Sequence, residues 1–375
     1  MLDRRRILLL AGLGVVAAAL ASPTPAPAQQ QGPTKVEQLY AELAKLPPAE
    51  RQKRLEEGAR KEGKFAFIHT WRGRLAQGHM RLFQKRYPFI EVEMSDMGSQ
   101  DGAERIVAEE TAGRHLTDAV SLAVPDMSEL LKRDLAAVIE TPAENRIFPQ
   151  YDAMKDPQHR WVTWYWSDYG VSYNTDLVPP DKAPHTWQDL CKPFFKGSVS
   201  FDPPTVRFIV GIFAMMGPKD AEAWFKCMGE NEPIIQRGHT ARMKLMLSGD
   251  HKAQGQNYLY VGMKTKMQNP KTPFGVAWEA GIMGWGSGII INKNAPHPYA
   301  AALFADWTLS EESQKYAAKE FRGPVAYKHP YMPDGVKLTI VRQPATEAEN
   351  DRYIALWNAT IGSHATTREG GGGAE

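Results

Sequence analysis

Residues 64–133 alternate between short strand-like runs and helical runs, and this alternation constrains the fold more than any other feature of the chain. Lys64–His69, Ile90–Met94 and Thr117–Val124 contain the branched and aromatic residues of strands, and helical spacing fills the intervals between them. A helix between two strands returns the chain to the same end of a sheet, so the strands pair in parallel. The pattern therefore predicts a parallel sheet of right-handed βαβ units.

A second α/β unit follows a long aromatic segment. Residues 161–175 (WVTWYWSDYGVSYNT) predict one extended strand, residues 197–201 predict another, and helices are predicted between residues 205 and 267. Residues 284–292 (GWGSGIIIN) predict a strand that leads to two further helices. Two α/β units joined by two extended crossings are typical of a hinged protein with two lobes, which closes over a ligand.

The length of the chain, 375 residues, agrees with two lobes, because one hydrophobic core rarely serves so long a chain. We assign residues 34–162 and 286–375 to lobe 1, residues 175–283 to lobe 2, and residues 163–174 and 284–285 to the hinge crossings. The glycine-rich residues 369–375 are predicted to be a disordered tail.

The N-terminal residues have the order of an export signal. Three arginines, Arg4–Arg6, precede an apolar run too short to span a bilayer comfortably, and Ala26–Ala28 forms a small-residue cleavage site. This order predicts a secretory signal peptide over residues 1–28 and a polar leader over residues 29–33. The pattern D-R-R-x-I-L-L resembles a twin-arginine signal, although an ordinary Sec signal also begins with arginines.

Charge and cysteine content narrow the range of partners. The chain has 45 basic and 43 acidic residues, and residues 1–28 contain three arginines and one aspartate, so their removal leaves a neutral protein. A neutral protein has no electrostatic reason to bind nucleic acid or an acidic membrane surface. No later segment has the apolar length of a membrane span, and no cysteine precedes Cys191 to take a lipid anchor. We therefore expect a free, monomeric periplasmic protein.

The sequence contains two cysteines, Cys191 and Cys227. In an oxidising compartment they could pair, and the closed loop would then stabilise the protein by roughly 3–4 kcal/mol. They could equally be two separate buried thiols, because a sequence does not show whether two Cα atoms lie within bridging distance.

Several segments resemble the periplasmic solute-binding proteins of ABC importers. They are K-E-G-K at 61–64, G-V-S-Y-N-T-D-L at 170–177, T-W-Q-D-L at 186–190 with Lys196-Gly197, and N-A-P-H-P at 294–298 followed by L-S-E-E-S-Q at 309–314. The likeness runs from about residue 50 to 330 and indicates the extracellular solute-binding family 1 group that contains ferric-ion-binding proteins. The resemblance implies a type II periplasmic binding fold, no catalysis, no required cofactor, and delivery of a ligand to an inner-membrane ABC permease.

Two other functions stay open. A binding protein that reports its ligand to a membrane receptor would have the same sequence features as an importer component. A secreted hydrolase is less well supported, because Trp285 occupies the first glycine position of a G-x-S-x-G motif around Ser287. The sequence also contains no H-E-x-x-H or C-x-x-C motif. We therefore expect a binding protein and not an enzyme.

The resemblance also bears on the ligand. Ferric-binding relatives hold the metal through adjacent tyrosines, a histidine and a carboxylate, which are donors that suit a hard cation. In this chain Tyr258 matches one of the two tyrosines, but Leu259 stands in place of the other. His69 matches the histidine. The segment beginning at Ser121 contains no glutamate that could supply the carboxylate. Tyr258 and His69 would be the metal ligands if the cargo were Fe³⁺. We expect a small organic or phosphorus-containing anion, with Fe³⁺ as the alternative.

Candidate ligand contacts follow from where the predicted strands and helices end. Ligands of such folds lie at the carboxyl ends of strands, and free N–H groups at a helix start favour an anion. The predicted contacts are His69, Thr70, Trp71 and Ser121 in lobe 1; Tyr165, Trp166, Ser167 and Trp285, with Ser287, on the crossings; and Thr205, Arg207, Asn257, Tyr258 and Glu279 in lobe 2. Each also has an ordinary structural explanation, such as core packing for Trp71.

Overall fold

Two β-sheets, each flanked by helices, organise the computed structural model of the chain, which describes residues 32–341 and 347–368. The predicted signal peptide, residues 29–31 of the leader and the predicted tail over residues 369–375 lie outside the described residues. Within residues 32–341 and 347–368, no helix has the length and apolar character required to cross a membrane.

The described residues form the following elements. The helices are α1 (Lys35–Ala44), α2 (Pro48–Glu62), α3 (Gly73–Arg86), α4 (Ser99–Thr111), α5 (Ser128–Lys132), α6 (Val206–Met216), α7 (Pro218–Glu230), α8 (His239–Leu247), α9 (Leu259–Gln268), α10 (Pro298–Thr308), α11 (Glu311–Lys319) and α12 (Glu347–Trp357). The strands are β1 (Lys64–His69), β2 (Glu91–Asp96), β3 (Ala119–Ala123), β4 (Val162–Tyr169), β5 (Ser172–Asn174), β6 (Val199–Phe201), β7 (Ile234–Gln236), β8 (Ala253–Gln254), β9 (Phe274–Val276), β10 (Ile282–Ile291), β11 (Gly323–Pro324), β12 (Leu338–Ile340) and β13 (Thr366–Arg368).

The first sheet confirms the predicted βαβ units. Its strand order is β11-β4-β10-β3-β1-β2, with β12 also paired to β10. Strand β1 pairs in parallel with β2 and β3, and helices α3 and α4 make the connections between these strands. Phe65 and Phe67 of β1 pack against Phe304 of α10, so the sheet and its helices share one core. We refer to this sheet and its helices as lobe 1.

The second sheet has the order β13-β7-β6-β8-β5-β9 and forms the centre of what we refer to as lobe 2. Strand β6 pairs in parallel with β7 and β8, while β5 pairs antiparallel with β8 and β9. Helices α6 and α7 connect β6 to β7 and bury Phe208, Trp224 and Phe225 against the sheet. The chain therefore has the α/β class predicted from its sequence.

The segment predicted as one strand over residues 161–175 is divided between the two sheets. Strand β4 belongs to the first sheet and β5 to the second, with Gly170 and Val171 between them. A Cβ atom on Gly170 would lie 2.9 Å from a methyl group of Leu259. The chain passes close to helix α9 at this point, so a larger residue would displace the Leu259 side chain. The aromatic pattern of the segment does not reveal the break.

The two crossing strands form an antiparallel ribbon at the junction of the lobes. Strand β10 pairs with β4 from Met283 opposite Tyr169 to Ile289 opposite Val162, and all ten residues of β10 are buried. The ribbon extends beyond the predicted crossings, because both strands continue into the first sheet.

The C-terminal part of the chain differs from the predicted lobe boundaries. Residues 286–375 were expected in lobe 1, but after β12 the chain passes to lobe 2, where α12 packs against α6 and β13 pairs in parallel with β7. The physical reason is burial: Trp357 and Ile361 are fully enclosed in the core of lobe 2. Lobe 2 therefore also contains residues 347–368.

A helical hairpin of α1 and α2 precedes the first strand and packs on α10. The Tyr40 hydroxyl donates to the carbonyl oxygen of Pro298 at 2.8 Å. The Glu62 carboxylate accepts the N–H groups of Tyr299 at 3.1 Å and Ala300 at 2.8 Å, so it caps the start of α10. These contacts attach the hairpin to the core of lobe 1.

Lobe 2 contains a disulfide between Cys191 and Cys227, whose Cα atoms lie 5.7 Å apart. Cys191 ends a 3₁₀ turn over Trp187–Cys191, and Cys227 lies in α7. The bond therefore ties the segment that precedes β6 to a helix that follows it.

We predict that changing both cysteines to serine lowers the free energy of unfolding by about 3–4 kcal/mol, because the open chain regains the entropy of the loop. Urea unfolding of the oxidised protein and of the C191S/C227S variant would measure the change. Reduction of the wild-type protein should give the same loss. Equal unfolding free energies in all three samples would contradict the stabilising role of the bond.

Candidate functional site

The candidate site is a cavity of about 360 Å³ between lobe 1 and lobe 2. It is lined by Thr70, Trp71, Arg72, Leu75, Gly98, Ser99, Ala123, Tyr165, Ser167, Arg207, His239, Thr240, Tyr258, Tyr260, Trp285, Ser287 and Arg322. A larger hollow of about 1120 Å³ opens beside α2 and α3 of lobe 1. The cavity between the lobes is the better candidate, because it lies at the carboxyl ends of β1 and β3 and touches both lobes.

The crossing ribbon contributes four residues of the lining. Trp285 pairs with Ser167, and Ser287 pairs with Tyr165, in the register of β10 and β4. Residues two apart on a strand face the same side, so the ribbon directs all four side chains toward the cavity. These four residues were predicted from the sequence, and the structure brings them together.

Four further predicted residues line the cavity from the two lobes. Thr70 and Trp71 follow β1, and the Thr70 hydroxyl lies 3.3 Å from the Tyr165 hydroxyl. Arg207 lies in the first turn of α6, and Tyr258 immediately precedes α9. Their contact with a ligand stays a prediction.

His69 does not line the cavity, although it was predicted as a ligand contact. Its ring is fully buried, with Nε2 3.3 Å from Nδ1 of His79, and its Nδ1 accepts the N–H of Trp71 at 3.1 Å. Burial lowers the pKa of His69 to about 3, so the ring is neutral. As the last residue of β1, it points into the core and holds the backbone of Trp71.

Trp166 and Ser121 are also displaced from the cavity. Trp166 lies between Tyr165 and Ser167 on β4, so its ring points to the opposite side, where it packs 4.9 Å from the His329 ring. Ser121 is buried in β3 and accepts a hydrogen bond from Trp164 Nε1 at 3.2 Å.

The remaining three predicted contacts serve lobe 2 itself. The Thr205 hydroxyl accepts a hydrogen bond from Gln256 Nε2 at 3.0 Å, and Asn257 Nδ2 donates to the carbonyl oxygen of His239 at 3.2 Å. Glu279 is exposed, 2.7 Å from His185 Nδ1. Thr205 and Asn257 are occupied by local hydrogen bonds, and Glu279 lies outside the cavity.

Sequence reasoning missed six polar or aromatic residues of the lining: Arg72, Ser99, His239, Thr240, Tyr260 and Arg322. Arg72 directly follows the predicted trio at residues 69–71, and Tyr260 lies two residues after Tyr258, so proximity could have found both. Nothing in the sequence near Arg322 indicates that it reaches the cavity from the segment between α11 and β11.

The lining contains three guanidinium groups, those of Arg72, Arg207 and Arg322, and no carboxylate among the described residues. Burial disfavours the charged form of Arg207. The carboxylate of Asp126, 3.5 Å away, outweighs this effect and raises the pKa of the Arg207 guanidinium above its ordinary value. For Arg322, burial again opposes the charge, and Tyr260, whose ring centre lies 4.0 Å away, raises the pKa. Both groups stay charged, so the cavity is positive.

Two further side chains of the lining, His239 and Tyr258, are held in their neutral forms. Burial, with Arg242 and Arg207 nearby, lowers the pKa of His239 well below the usual range. Burial and the neighbouring Tyr169 raise the pKa of Tyr258 well above that of an ordinary phenol. Tyr258 is therefore a phenol that can donate or accept a hydrogen bond, and loss of its proton to form a metal ligand would be costly.

The structure does not bring together Tyr258 and His69, the two residues predicted as ligands of Fe³⁺. His69 is turned away, no carboxylate lines the cavity, and the phenol of Tyr258 is held neutral. Over residues 32–341 and 347–368, no group of three or more His, Cys, Asp or Glu side chains could hold a metal ion. Three cationic side chains favour an anionic ligand.

Comparisons with known proteins agree with this architecture. Residues 69–315 match the family of bacterial extracellular solute-binding proteins. No curated protein sequence matches the chain. Similar solved structures include the periplasmic binding protein AfuA from Actinobacillus pleuropneumoniae with fructose-6-phosphate bound (TM-score 0.66, 20% identity, 80% of this chain and 99% of that chain) and iron-bound HitA from Pseudomonas aeruginosa (TM-score 0.63, 17% identity, 79% and 98%). They are type II periplasmic binding proteins, and this chain has the same fold.

Asp168 connects the crossing ribbon to the residues that line the cavity. Its carboxylate accepts the N–H of Leu259 at 3.0 Å and the hydroxyl of Tyr331 at 2.7 Å. Leu259 begins α9 and lies between Tyr258 and Tyr260, while Tyr331 belongs to lobe 1. A single buried side chain on β4 therefore holds the start of α9 and a loop of lobe 1.

We predict a pH-dependent stability that originates at Asp168. Burial raises the pKa of Asp168 to about 6, above its value in the unfolded chain. The folded state therefore favours the protonated form, and this contribution is present below about pH 4 and is lost as the pH rises through about 6. Between these pH values the unfolding free energy should fall by up to about 3 kcal/mol relative to Asp168→Asn.

Urea unfolding at several pH values would measure this difference. The matched control is Asp176→Asn, because Asp176 is exposed in lobe 2. The free-energy difference between the wild-type protein and D176N should not depend on pH in this range. A difference between the wild-type protein and D168N that is equally constant would show that Asp168 does not titrate as inferred.

Proposed function

The chain belongs to the family of bacterial extracellular solute-binding proteins, and from this premise we propose that it carries a small organic or phosphorus-containing anion to an ABC permease of the inner membrane. The protein works in the periplasm, which it reaches by the export signal over residues 1–28, through the twin-arginine route. It binds and releases its cargo without chemical change, and ATP hydrolysis belongs to the importer.

The observation that carries this proposal is the positive charge of the cavity. Arg72 and Arg322 belong to lobe 1 and Arg207 to lobe 2, so guanidinium groups approach from both sides. A planar guanidinium can donate two parallel hydrogen bonds to a carboxylate or a phosphate group. An anion held by both lobes is bound more tightly in the closed state than in the open state, so it shifts the population toward closure.

The size and the remaining lining define the ligand further. A cavity of about 360 Å³ accommodates a small molecule with more atoms than a bare inorganic ion. The hydroxyl groups of Thr70, Ser99, Tyr258 and Ser287 can hydrogen-bond polar groups next to the anionic one. The fructose-6-phosphate in AfuA is an example of such a ligand in a protein of similar fold.

A hydrolase is the less favoured alternative, and one arrangement in lobe 2 bears on it. Ser200 Oγ lies 2.8 Å from His251 Nε2, and His251 Nδ1 lies 3.0 Å from Asp250 Oδ2. This is the spacing of a nucleophile with its base. However, Ser200 and His251 are 0% and 1% exposed, and Ser200 lies in β6 between two paired strands. A substrate cannot reach the serine, so the arrangement stabilises the sheet.

We predict that organic anions, and not Fe³⁺, stabilise the protein in a thermal-shift screen. The panel contains glucose 6-phosphate, 2-aminoethylphosphonate, succinate and Fe³⁺ supplied as its nitrilotriacetate complex, with nitrilotriacetate alone as the control. A ligand at a hundredfold excess over its Kd stabilises the folded state by about 2.7 kcal/mol. A visible tyrosinate–iron absorption band that disappears in Tyr258→Phe would overturn the anion proposal in favour of ferric iron.

We also predict that Arg207→Gln weakens binding of the most stabilising anion about 10- to 100-fold, the usual loss for a hydrogen bond to a charged group. Isothermal titration calorimetry would measure the change. The control is Arg237→Gln, because Arg237 is an exposed arginine of lobe 2 outside the cavity lining. Equal affinities of R207Q and R237Q would show that the anion binds elsewhere.

A further inference from the structure

Two ion pairs join the lobes across the cleft. Asp126, which follows β3 in lobe 1, lies with its Oδ2 atom 3.5 Å from Nη1 of Arg207 in lobe 2. Glu320, which follows α11 in lobe 1, lies with its Oε2 atom 3.5 Å from Nζ of Lys264 in lobe 2. In both pairs the acidic side chain belongs to lobe 1 and the basic side chain to lobe 2, so each pair attracts lobe 2 toward lobe 1.

Neither ion pair includes a residue of the crossing ribbon. Lys264 lies in α9 and Arg207 in the first turn of α6, so neither base is on the crossing ribbon. Asp126 and Glu320 do not lie on the ribbon either, so each ion pair joins the two lobes directly across the cleft. Rotation of the lobes about the ribbon would lengthen both pairs, because each pair joins residues of different lobes that lie away from the ribbon.

The Asp126–Arg207 pair also forms part of the cavity wall. Arg207 lines the cavity between the lobes and also an outer groove that contains Asp126, Glu129 and Thr205. The pair therefore stands between the cavity and the solvent on this side. Its side chains are 21% and 24% exposed, against 42% and 25% for Lys264 and Glu320, so it is the better shielded of the two.

A cation–aromatic contact reinforces the second pair. The guanidinium carbon of Arg322, in lobe 1, lies 4.0 Å from the ring centre of Tyr260, in lobe 2. Tyr260 belongs to α9, as does Lys264, and Arg322 lies two residues after Glu320. The same two segments thus meet through one ion pair and one cation–π contact.

We propose that Asp126 and Glu320 are positioning residues that hold the lobes closed before any ligand binds, so that the ligand-free protein already populates the closed state. This inference goes beyond the proposed function, because it concerns the protein without cargo and does not depend on the nature of the ligand. Its consequence for binding is direct. For a ligand that binds only the closed state, the apparent affinity equals the intrinsic affinity multiplied by the fraction of molecules that are closed.

The experiment is small-angle X-ray scattering of the ligand-free protein, after dialysis and a mass-spectrometric check for bound small molecules. Asp126→Asn and Lys264→Gln each remove one charge of a pair with little change in shape. Each should lower the closed-to-open ratio about two- to fivefold, the effect of a partly exposed ion pair, and raise the mean radius of gyration. The double variant should show both effects together.

The chain offers a matched control for each variant. Glu129→Gln removes a charge from the same outer groove as Asp126, but Glu129 pairs with Arg133 within α5 and its neighbouring turn. Lys266→Gln removes a charge from α9, but Lys266 donates to the carbonyl oxygen of Thr272 within lobe 2. Neither control should change the radius of gyration.

Salt gives an independent test of the same inference. Raising NaCl from about 20 mM to about 500 mM screens partly exposed pairs, so the wild-type protein should open while the double variant should hardly respond. The proposal is wrong if D126N and K264Q scatter like E129Q and K266Q, or if all four variants open equally. Failure of every anion to bind would refute the proposed function but would leave these ligand-free results unaffected.

Discussion

The antiparallel pairing of β4 and β10 is the constraint on which the rest of the structure depends. The two strands belong to the sheet of lobe 1 and lead directly into lobe 2, so they set where the lobes meet. Their register places Tyr165 opposite Ser287 and Ser167 opposite Trp285. The floor of the cavity is therefore fixed in the sheet of lobe 1, and lobe 2 contributes the opposite wall.

The buried guanidinium groups of the cleft are only partly compensated by neighbouring side chains. Guanidinium groups that are largely removed from water need compensation, and Asp126 gives Arg207 part of it from across the cleft. Arg322 has the phenol ring of Tyr260 beside it. No carboxylate among the described lining residues completes the compensation, and a bound anion would do so. Under the proposed function, anion binding and lobe closure would both follow from electrostatic attraction within the cleft.

Much of the fold could be predicted from the sequence, because strand and helix periodicities are local. The βαβ order of lobe 1 and the ribbon residues Tyr165, Ser167, Trp285 and Ser287 belong to this part. The orientation of single side chains could not be predicted in the same way. His69 and Trp166 stand next to lining residues in sequence, but strand alternation and core burial turn them away. Arg322 enters the cavity, and Trp357 enters the core of lobe 2, through tertiary contacts that leave no local pattern.

The central claim is that both lobes hold an anion through their guanidinium groups. The most direct measurement is a crystal structure of the protein with the anion that it binds most tightly. The account predicts an anionic group in the cavity between the lobes, with oxygen atoms about 3 Å from the guanidinium nitrogens of Arg207 and of Arg322. A ligand that occupies the outer hollow of lobe 1, or that lies in the cavity with both guanidinium groups out of reach, would contradict it.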